Sequence, residues 1–338
     1  MDSLTQIALG ASVAGLVVGP KVGRKALAWG ALCGTIPDLD VLIPMSGAVE
    51  SFTYHRSFSH SVFVLSAIAP LVALAAVKLH PSTAQHWRYW FLAIFLALVT
   101  HPILDSFTVY GTQIFWPIWE YPVSLSTIFI IDPLYTLPLL FGCIGFLVVY
   151  RRPQRAQKFI IAGLVLSSAY MGFSAFAKAS VESRLAATLE RTGITPTRTL
   201  TTAAPLTTLL WRVIVMEPDS YKIGFVSLFD PDEDIKFETY PTQPTLLEGL
   251  EGHWPVERLK WFTHGFYSVR ANSPAIVMTD LRMGSEGGYI FAFVVGRRED
   301  SKSIPIENHR RSQPQNISRI KNVFARIGDP GISMAPPK

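Results

Sequence analysis

Long apolar runs at about 4–19, 26–44, 61–79, 89–108, 133–150 and 159–178 dominate the first half of the chain. Several approach the roughly 20 residues that a membrane-spanning helix needs. The first is short and polar-edged, and reads as an in-bundle or re-entrant helix of the kind a closed bundle tolerates. Beyond residue 179 the pattern changes. A short polar helix to about 192 leads into Thr-, Pro- and Ala-rich sequence at 195–208, read as a linker. Strand-like runs follow at 209–216, 222–229, 266–270, 275–280 and 289–295, separated by Pro, Gly and Asp turns. Ile317, Ile320, Val323, Phe324 and Ile327 recur at helical intervals and predict an amphipathic helix over 316–327. The pattern therefore predicts an α-helical polytopic membrane bundle of about six segments over 1–178. A helix and linker cover 179–208, a small mixed, mainly β soluble domain covers 209–330, and the Pro-rich residues 331–338 read as a disordered tail.

Composition agrees with that division. Across 338 residues, 49% are apolar and only 16% are charged, and the mean hydropathy is +0.30, too apolar for an ordinary soluble fold. The net charge of +5 does not mark a nucleic-acid binder, because the basic residues are dispersed or flank apolar runs. Lys21, Arg24 and Lys25 follow the first segment, Lys78 and Arg88 bracket the turn after the third, and Arg151, Arg152, Arg155 and Lys158 follow the fifth. By the positive-inside rule these loops are cytoplasmic. The alternate loops, 45–60 and 109–132, carry only Arg56 as a base and face outward, as does the C-terminal domain. The N-terminus lacks the basic region and cleavage site of a removed signal, so the first segment reads as retained. Cys33 and Cys143 both lie in apolar runs, which argues against a disulfide framework or a thiolate metal site. Trp211, Trp254 and Trp261 read as core of the β domain.

Polar islands interrupt the apolar half: Pro37-Asp38-Leu39-Asp40, His55-Arg56-Ser57-Phe58-Ser59-His60-Ser61, and Thr100-His101-Pro102-Ile103-Leu104-Asp105. Burying ionisable groups in a membrane is costly unless they pair or bind something. His101 and Asp105, four apart on a helix, share one face, and His nitrogen with Asp oxygen is a ligand set that zinc accepts. The alternative for that pair is a structural hydrogen bond. His55 and His60, five apart, diverge on a continuous helix, so His55 reads as a loop residue and His60 as first turn, with Ser57 or Ser59 as cap. Asp38 and Asp40 point the same way only if the backbone after Pro37 is extended or turned. One would then ligate while the other takes a proton from water, or the pair ends a helix as an Asx-turn. Arg56 suits a phosphate or carboxylate partner, or a salt bridge to Asp38 or Asp40. Asp132 reads as an N-cap. With Asp2, these groups converge on the outer side under the loop-charge topology. That common level favours a metal site (His55, His60, His101, Asp105, Asp38 and Asp2 as ligands; Asp38, Asp40 and Arg56 as catalytic groups) over a set of unrelated hydrogen bonds.

The ordered set Met1-Asp2-Ser3-Leu4-Thr5, Ile36-Pro37-Asp38-Leu39-Asp40, His55 to Ser61 and His101-Pro102-Ile103-Leu104-Asp105 with Tyr110-Gly111 resembles the YdjM-like family of predicted membrane-bound metal-dependent hydrolases. Leu210-Trp211-Arg212 and Asp280-Leu281-Arg282-Met283-Gly284 resemble pieces of the tail in its longer members. The motif order is similar to that of the zinc-dependent phospholipase C and nuclease group. The resemblance implies a multi-metal phosphoesterase-like site in a bacterial inner membrane, with His60, His101 and Asp105 as ligands and Asp38 or Asp40 as ligand or base. Where the family shows Thr-His near its start, this chain has Thr5-Gln6. A carboxamide is a poor zinc ligand, which implies a metal position weakened, lost or taken over by Asp2.

The expected function is a metal-dependent hydrolase using metal-activated water on a phosphoester or other ester. The expected cofactor is zinc, with manganese or iron as alternatives, and the expected partners are membrane lipids and a small-molecule or lipid substrate. The competing readings are a transporter or ion-conducting protein using the same His and Asp groups, and a non-catalytic membrane anchor with a structural metal. A lipid phosphatase of the vanadium-haloperoxidase type is set aside, because Phe95 stands where its arginine belongs.

Overall fold

The computed structural model describes residues 1–300, 302–312 and 320–336. The chain forms two compact units, Met1–Ile43 with His55–Ser174, and Pro44–Tyr54 with Ala175–Lys338. The helices run in the order α1 (Ser3–Val17), α2 (Gly19–Val22), α3 (Lys25–Thr35), α4 (Ala48–Tyr54), α5 (Val62–Leu79), α6 (Trp87–Ser106), α7 (Pro133–Val149) and α8 (Pro153–Thr192). Three stretches are long and apolar enough to cross a membrane: Val62–Leu79, Pro81–Ser106 and Pro153–Thr192. Of the six segments expected to reach across or into a bilayer, three thus have the length and apolarity to span one. α1 and α7 are apolar but shorter, and α3 has only 11 residues, roughly half of a 30 Å hydrocarbon core at 1.5 Å per residue. Pro37 ends it, and the 3-10 turn Pro37–Leu42 completes what the hydropathy alone read as one segment.

α1 is the centre of the first unit. It packs against α3, α6 and α7, and its residues Thr5 to Gly15 are buried almost without interruption, as an interior helix requires. The crossing of α1 and α3 is made by glycines: a Cβ at Gly10 or Gly30 would collide with the carbonyl of the other, and one at Gly34 would collide with the Gln6 carbonyl. Small residues let the two backbones approach. The close approach at Gly34 also fixes the end of α3 beside the start of α1, where the polar residues gather.

The second unit holds two antiparallel four-stranded meanders. The first comprises β1 (Arg198–Ala203), β2 (Leu210–Met216), β3 (Ser220–Ser227) and β4 (Phe237–Pro241). After α9 (Trp254–Phe262) comes the second, β5 (Tyr267–Asn272), β6 (Ala275–Asp280), β7 (Ala292–Glu299) and β8 (Lys302–Arg310), followed by α10 (Ile320–Gly328). Ile214, Tyr221 and Ile223 share a core with Phe266, Leu281 and Tyr289. The stretch read as a linker contains β1, whose Thr201 and Thr202 are buried opposite Val213 and Arg212 of β2; threonine suits a pleated surface. Likewise α8 is one unbroken helix where an apolar segment and a separate polar helix were expected. Ile317 lies outside the described residues. In the stretch read as a disordered tail, Met334 packs near Val323 and Leu210.

α4 belongs to the second unit although it interrupts the sequence of the first. Phe52 packs on Phe262, Phe291 and Phe293, and the Val49 amide donates to Asn308. Of the three tryptophans assigned to the core, Trp211 is fully buried, while Trp254 is 40% exposed and stacks on Tyr54.

Candidate metal centre

Asp38, His60, His101 and Asp105 offer ligand atoms that all lie within 4.8 Å of one another. His101 and Asp105 come from the last turns of α6, Asp38 from the 3-10 turn after α3, and His60 from the short 3-10 helix Phe58–His60 that precedes α5. His60 Nε2 and His101 Nε2 are 3.2 Å apart. Asp38 Oδ1 lies 3.4 and 3.5 Å from them, and Asp105 Oδ2 lies 3.3 and 3.6 Å from them. The edge of a tetrahedron of ligands about 2.05 Å from a central zinc is about 3.3 Å. Five edges of this group thus have the length that such an ion sets.

The surrounding hydrogen bonds determine which atoms face inward. His101 Nδ1 lies 2.8 Å from the Gly34 carbonyl, which only accepts, so in the neutral ring the proton sits on Nδ1 and Nε2 presents a lone pair. Ser59 Oγ donates to Asp40 Oδ2 at 2.7 Å and lies 2.9 Å from His60 Nδ1. Its one proton is used, so it accepts from His60 Nδ1 and leaves His60 Nε2 as a second inward lone pair. Asp105 Oδ1 receives Gln6 Nε2 at 2.9 Å and contacts the Met1 α-amino group, while Asp105 Oδ2 is buried without a hydrogen bond. Arg56 Nε is 3.2 Å from that oxygen as an ion pair but is not aimed at it, and neither atom gains a hydrogen bond. With both rings neutral, four electron-pair donors face one another, an arrangement that fits a cation.

The remaining candidate residues have other places. Asp38 and Asp40 do not point together: the 3-10 turn sends Asp38 to the imidazoles and Asp40 to the loop. There Asp40 Oδ1 accepts from His55 Nδ1 at 2.8 Å, and Oδ2 accepts from the Arg56 amide at 3.0 Å and from Ser59. His55 is accordingly bonded to Asp40 and is not among the four converging groups. Arg56 has φ +64, a left-handed backbone that turns its N–H toward Asp40. Its guanidinium pairs with Asp105, donates to Thr108 Oγ1 at 3.2 Å and lies over the Tyr110 ring, instead of bridging to Asp38 or Asp40. Asp2 is the N-cap of α1, bonded to Thr5. Asp132 caps α7 and accepts from Tyr170. Ser61, not Ser57 or Ser59, caps α5, so His60 sits just outside that helix. Ser59 and Gly34 support the site without having been singled out for it, and Gln6, noted only as a missing imidazole, supports it by donating to Asp105. Ser59 adjoins His60 in a polar island and was within reach of sequence reasoning, whereas a backbone carbonyl such as that of Gly34 leaves no trace in residue type.

The profile of the YdjM inner membrane protein family matches residues 1–181, more than half of the chain. The chain belongs to the YdjM inner membrane protein family. All four converging residues lie within the YdjM-matched stretch. The chain is also similar to the uncharacterized protein YfhP of Bacillus subtilis (strain 168), at 27% identity over 140 residues, covering 39% of this chain and 42% of that protein. The chain thus spans less than half the length of that relative. No solved structure matches the chain.

Proposed function

We propose that this protein is a membrane-bound, metal-dependent hydrolase that holds a divalent ion, zinc foremost, through Asp38, His60, His101 and Asp105, and cleaves a phosphoester or related ester at the outer face of the membrane. The observation that carries the reading is the convergence of four ligand groups, the two imidazoles among them turning Nδ1 outward to the Gly34 carbonyl and to Ser59. A bound divalent ion would bring the pKa of a water toward 7 and stabilise developing negative charge on the substrate. The chain's own groups divide the rest. Asp38 is the one of the four whose side chain is partly exposed, at 20%, and we assign its second oxygen to take the proton of the attacking water. Asp40 acts through Ser59 and His55 as a positioning residue. Arg56, paired with Asp105, offsets carboxylate charge, and Gln6 orients that ligand.

The outer-face assignment is supported by the helix ends. On α5 the ligand His60 precedes the N-terminus and Lys78 lies at the C-terminus; on α6, Arg88 is at the N-terminus and His101 and Asp105 are at the C-terminus. Basic and ligand ends are opposite on both, as positive-inside topology requires of an extracytoplasmic site.

The decisive experiment is metal analysis of detergent-purified full-length protein, together with assays on phosphodiester, phosphomonoester and phospholipid substrates. Wild type should carry or take up stoichiometric metal and hydrolyse at least one class, and His101→Ala should lose both. Wild type that remains metal-free in excess zinc sinks the proposal.

A further inference from the structure

We infer that the ligand of this site is an anionic amphiphile that enters from the lipid along the 3-10 turn Pro37–Leu42, its head group at the metal centre and its hydrocarbon chain against Val41 and Leu42. The substrate class rests on the hydrolase reading; the binding site does not. The side chains of His60, His101 and Asp105 are 0% exposed, whereas that of Asp38 is 20% exposed, so the centre meets its surroundings at Asp38. That carboxylate sits in an apolar setting: on the same turn and just beyond it, Leu39 is 48% exposed, Val41 67%, Leu42 75% and Ile43 42%. In a 3-10 turn side chains three apart eclipse, which sets Val41 beside Asp38 and Leu42 beside Leu39. On α6, Ile103, between His101 and Asp105, is 42% exposed.

A mouth built for a water-soluble ester would have little use for four exposed aliphatic residues around its one accessible ligand. The same residues in contact with acyl chains cost nothing, and they hold the chain of a molecule whose head group turns inward. Charge selects the head group. Three carboxylates, Asp38, Asp40 and Asp105, against Arg56, the Met1 α-amino group and a divalent ion leave net positive charge in a buried site, which favours an anion such as a phosphoester or phosphonate. The phosphate chemistry alone would equally suit a free phosphoester; the apolar turn favours the lipid-borne form.

The test uses full-length protein in phosphatidylcholine nanodiscs, loaded with cobalt(II), whose visible absorption reports on the ligands of the metal. Hexadecylphosphonate and methylphosphonate share a head group and differ in the chain. Hexadecylphosphonate should perturb the spectrum at about a hundredfold lower concentration, what burial of three or four methylenes contributes. Val41→Asn with Leu42→Asn should shrink that ratio at least tenfold while cobalt content and the methylphosphonate response stay as in wild type; Val41→Ile with Leu42→Ile should keep it. The aliphatic control separates chain contact from partitioning into the disc. Equal potency of the two phosphonates, or a ratio unchanged by the asparagine variants, overturns the amphiphile site. Turnover of chainless phosphodiesters under those outcomes would leave the hydrolase reading standing. Chain-dependent binding with no turnover of any ester would do the reverse.

Discussion

Each unit buries a charged cluster, and the two clusters differ in sign matching. In the second unit Asp280 and Arg282, whose side chains are 0% and 1% exposed, form a two-pronged pair. Neighbouring Arg212 donates to the carbonyls of Gly284, Leu281 and Arg282. Each carboxylate oxygen of Asp280 there meets a guanidinium N–H, and Arg282, whose Nη1 is the one buried donor of that guanidinium without a hydrogen bond, lies over the Phe262 ring. In the first unit the buried imidazoles and carboxylates turn acceptors toward acceptors. Burial alone therefore does not mark a functional site; burial with mismatched partners does. The Asp280 cluster pairs opposite charges as a structural clamp, while the Asp105 cluster gathers ligand atoms that could hold a cation.

That contrast can be broken by experiment. The largest effect belongs to the candidate metal ligands. His60→Ala and His101→Ala should reduce bound metal to background by elemental analysis, with helical circular dichroism preserved, because each removes a lone pair from a mismatched set. Asp280→Ala should do the opposite, leaving metal content intact while destabilising the second unit by about 3–5 kcal/mol, the cost of stranding a buried Arg282; denaturant titration of the full chain followed by tryptophan fluorescence would show it. A loss of metal in Asp280→Ala, or none in His101→Ala, would erase the distinction. Next in size is Ser59→Ala, which frees the His60 ring without removing a ligand and should weaken metal binding about 10- to 100-fold, read by competition with a chelator. A comparable effect, this one on the second unit, concerns Asp230. Burial pushes its carboxyl up, but the Arg326 guanidinium, at 2.7 and 2.8 Å, holds it below the usual carboxylate range. A depressed folded value stabilises the unit above the unfolded pKa of about 3.9, and that stability is lost as pH falls through the folded value. Arg326→Ala should cost about 1.5–3 kcal/mol near pH 7 and progressively less under acid, by thermal melts across pH 3–7.

The sequence made the four converging residues findable because each lies in an apolar setting where a charge needs an explanation, and because His101 and Asp105 keep helical spacing. It did not reveal that His55 and Asp2 lie outside the four converging groups, or which way Asp38 and Asp40 turn. Those positions depend on a 3-10 turn and on the left-handed Arg56, and residue spacing encodes neither. Gln6, an apparent defect as a ligand, donates to Asp105 and to the His101 carbonyl, a role visible only once Gly10, Gly30 and Gly34 bring α1 against α3. Five strand-like runs stood out by alternation. β1, β4, β8 and α9 did not, since threonine-rich, charged or short segments carry little periodic signal. Segment counting failed at α3 because hydropathy does not register the stop that Pro37 imposes.

The membership of α4 in the second unit has a consequence for how this chain can be divided. Its partners on α9 lie about 200 residues downstream, so docking it closes a long loop. A fragment ending where the family match ends, at residue 181, would keep His55 and Arg56 but strip Phe52 of the aromatic residues that cover it. Domain dissection, the usual route to a tractable membrane fragment, would therefore unmoor the segment that leads into the His55–Ser61 loop. Excising α4 along with the C-terminal unit, with a short bridge from Ile43 to His55, respects the seams of this architecture.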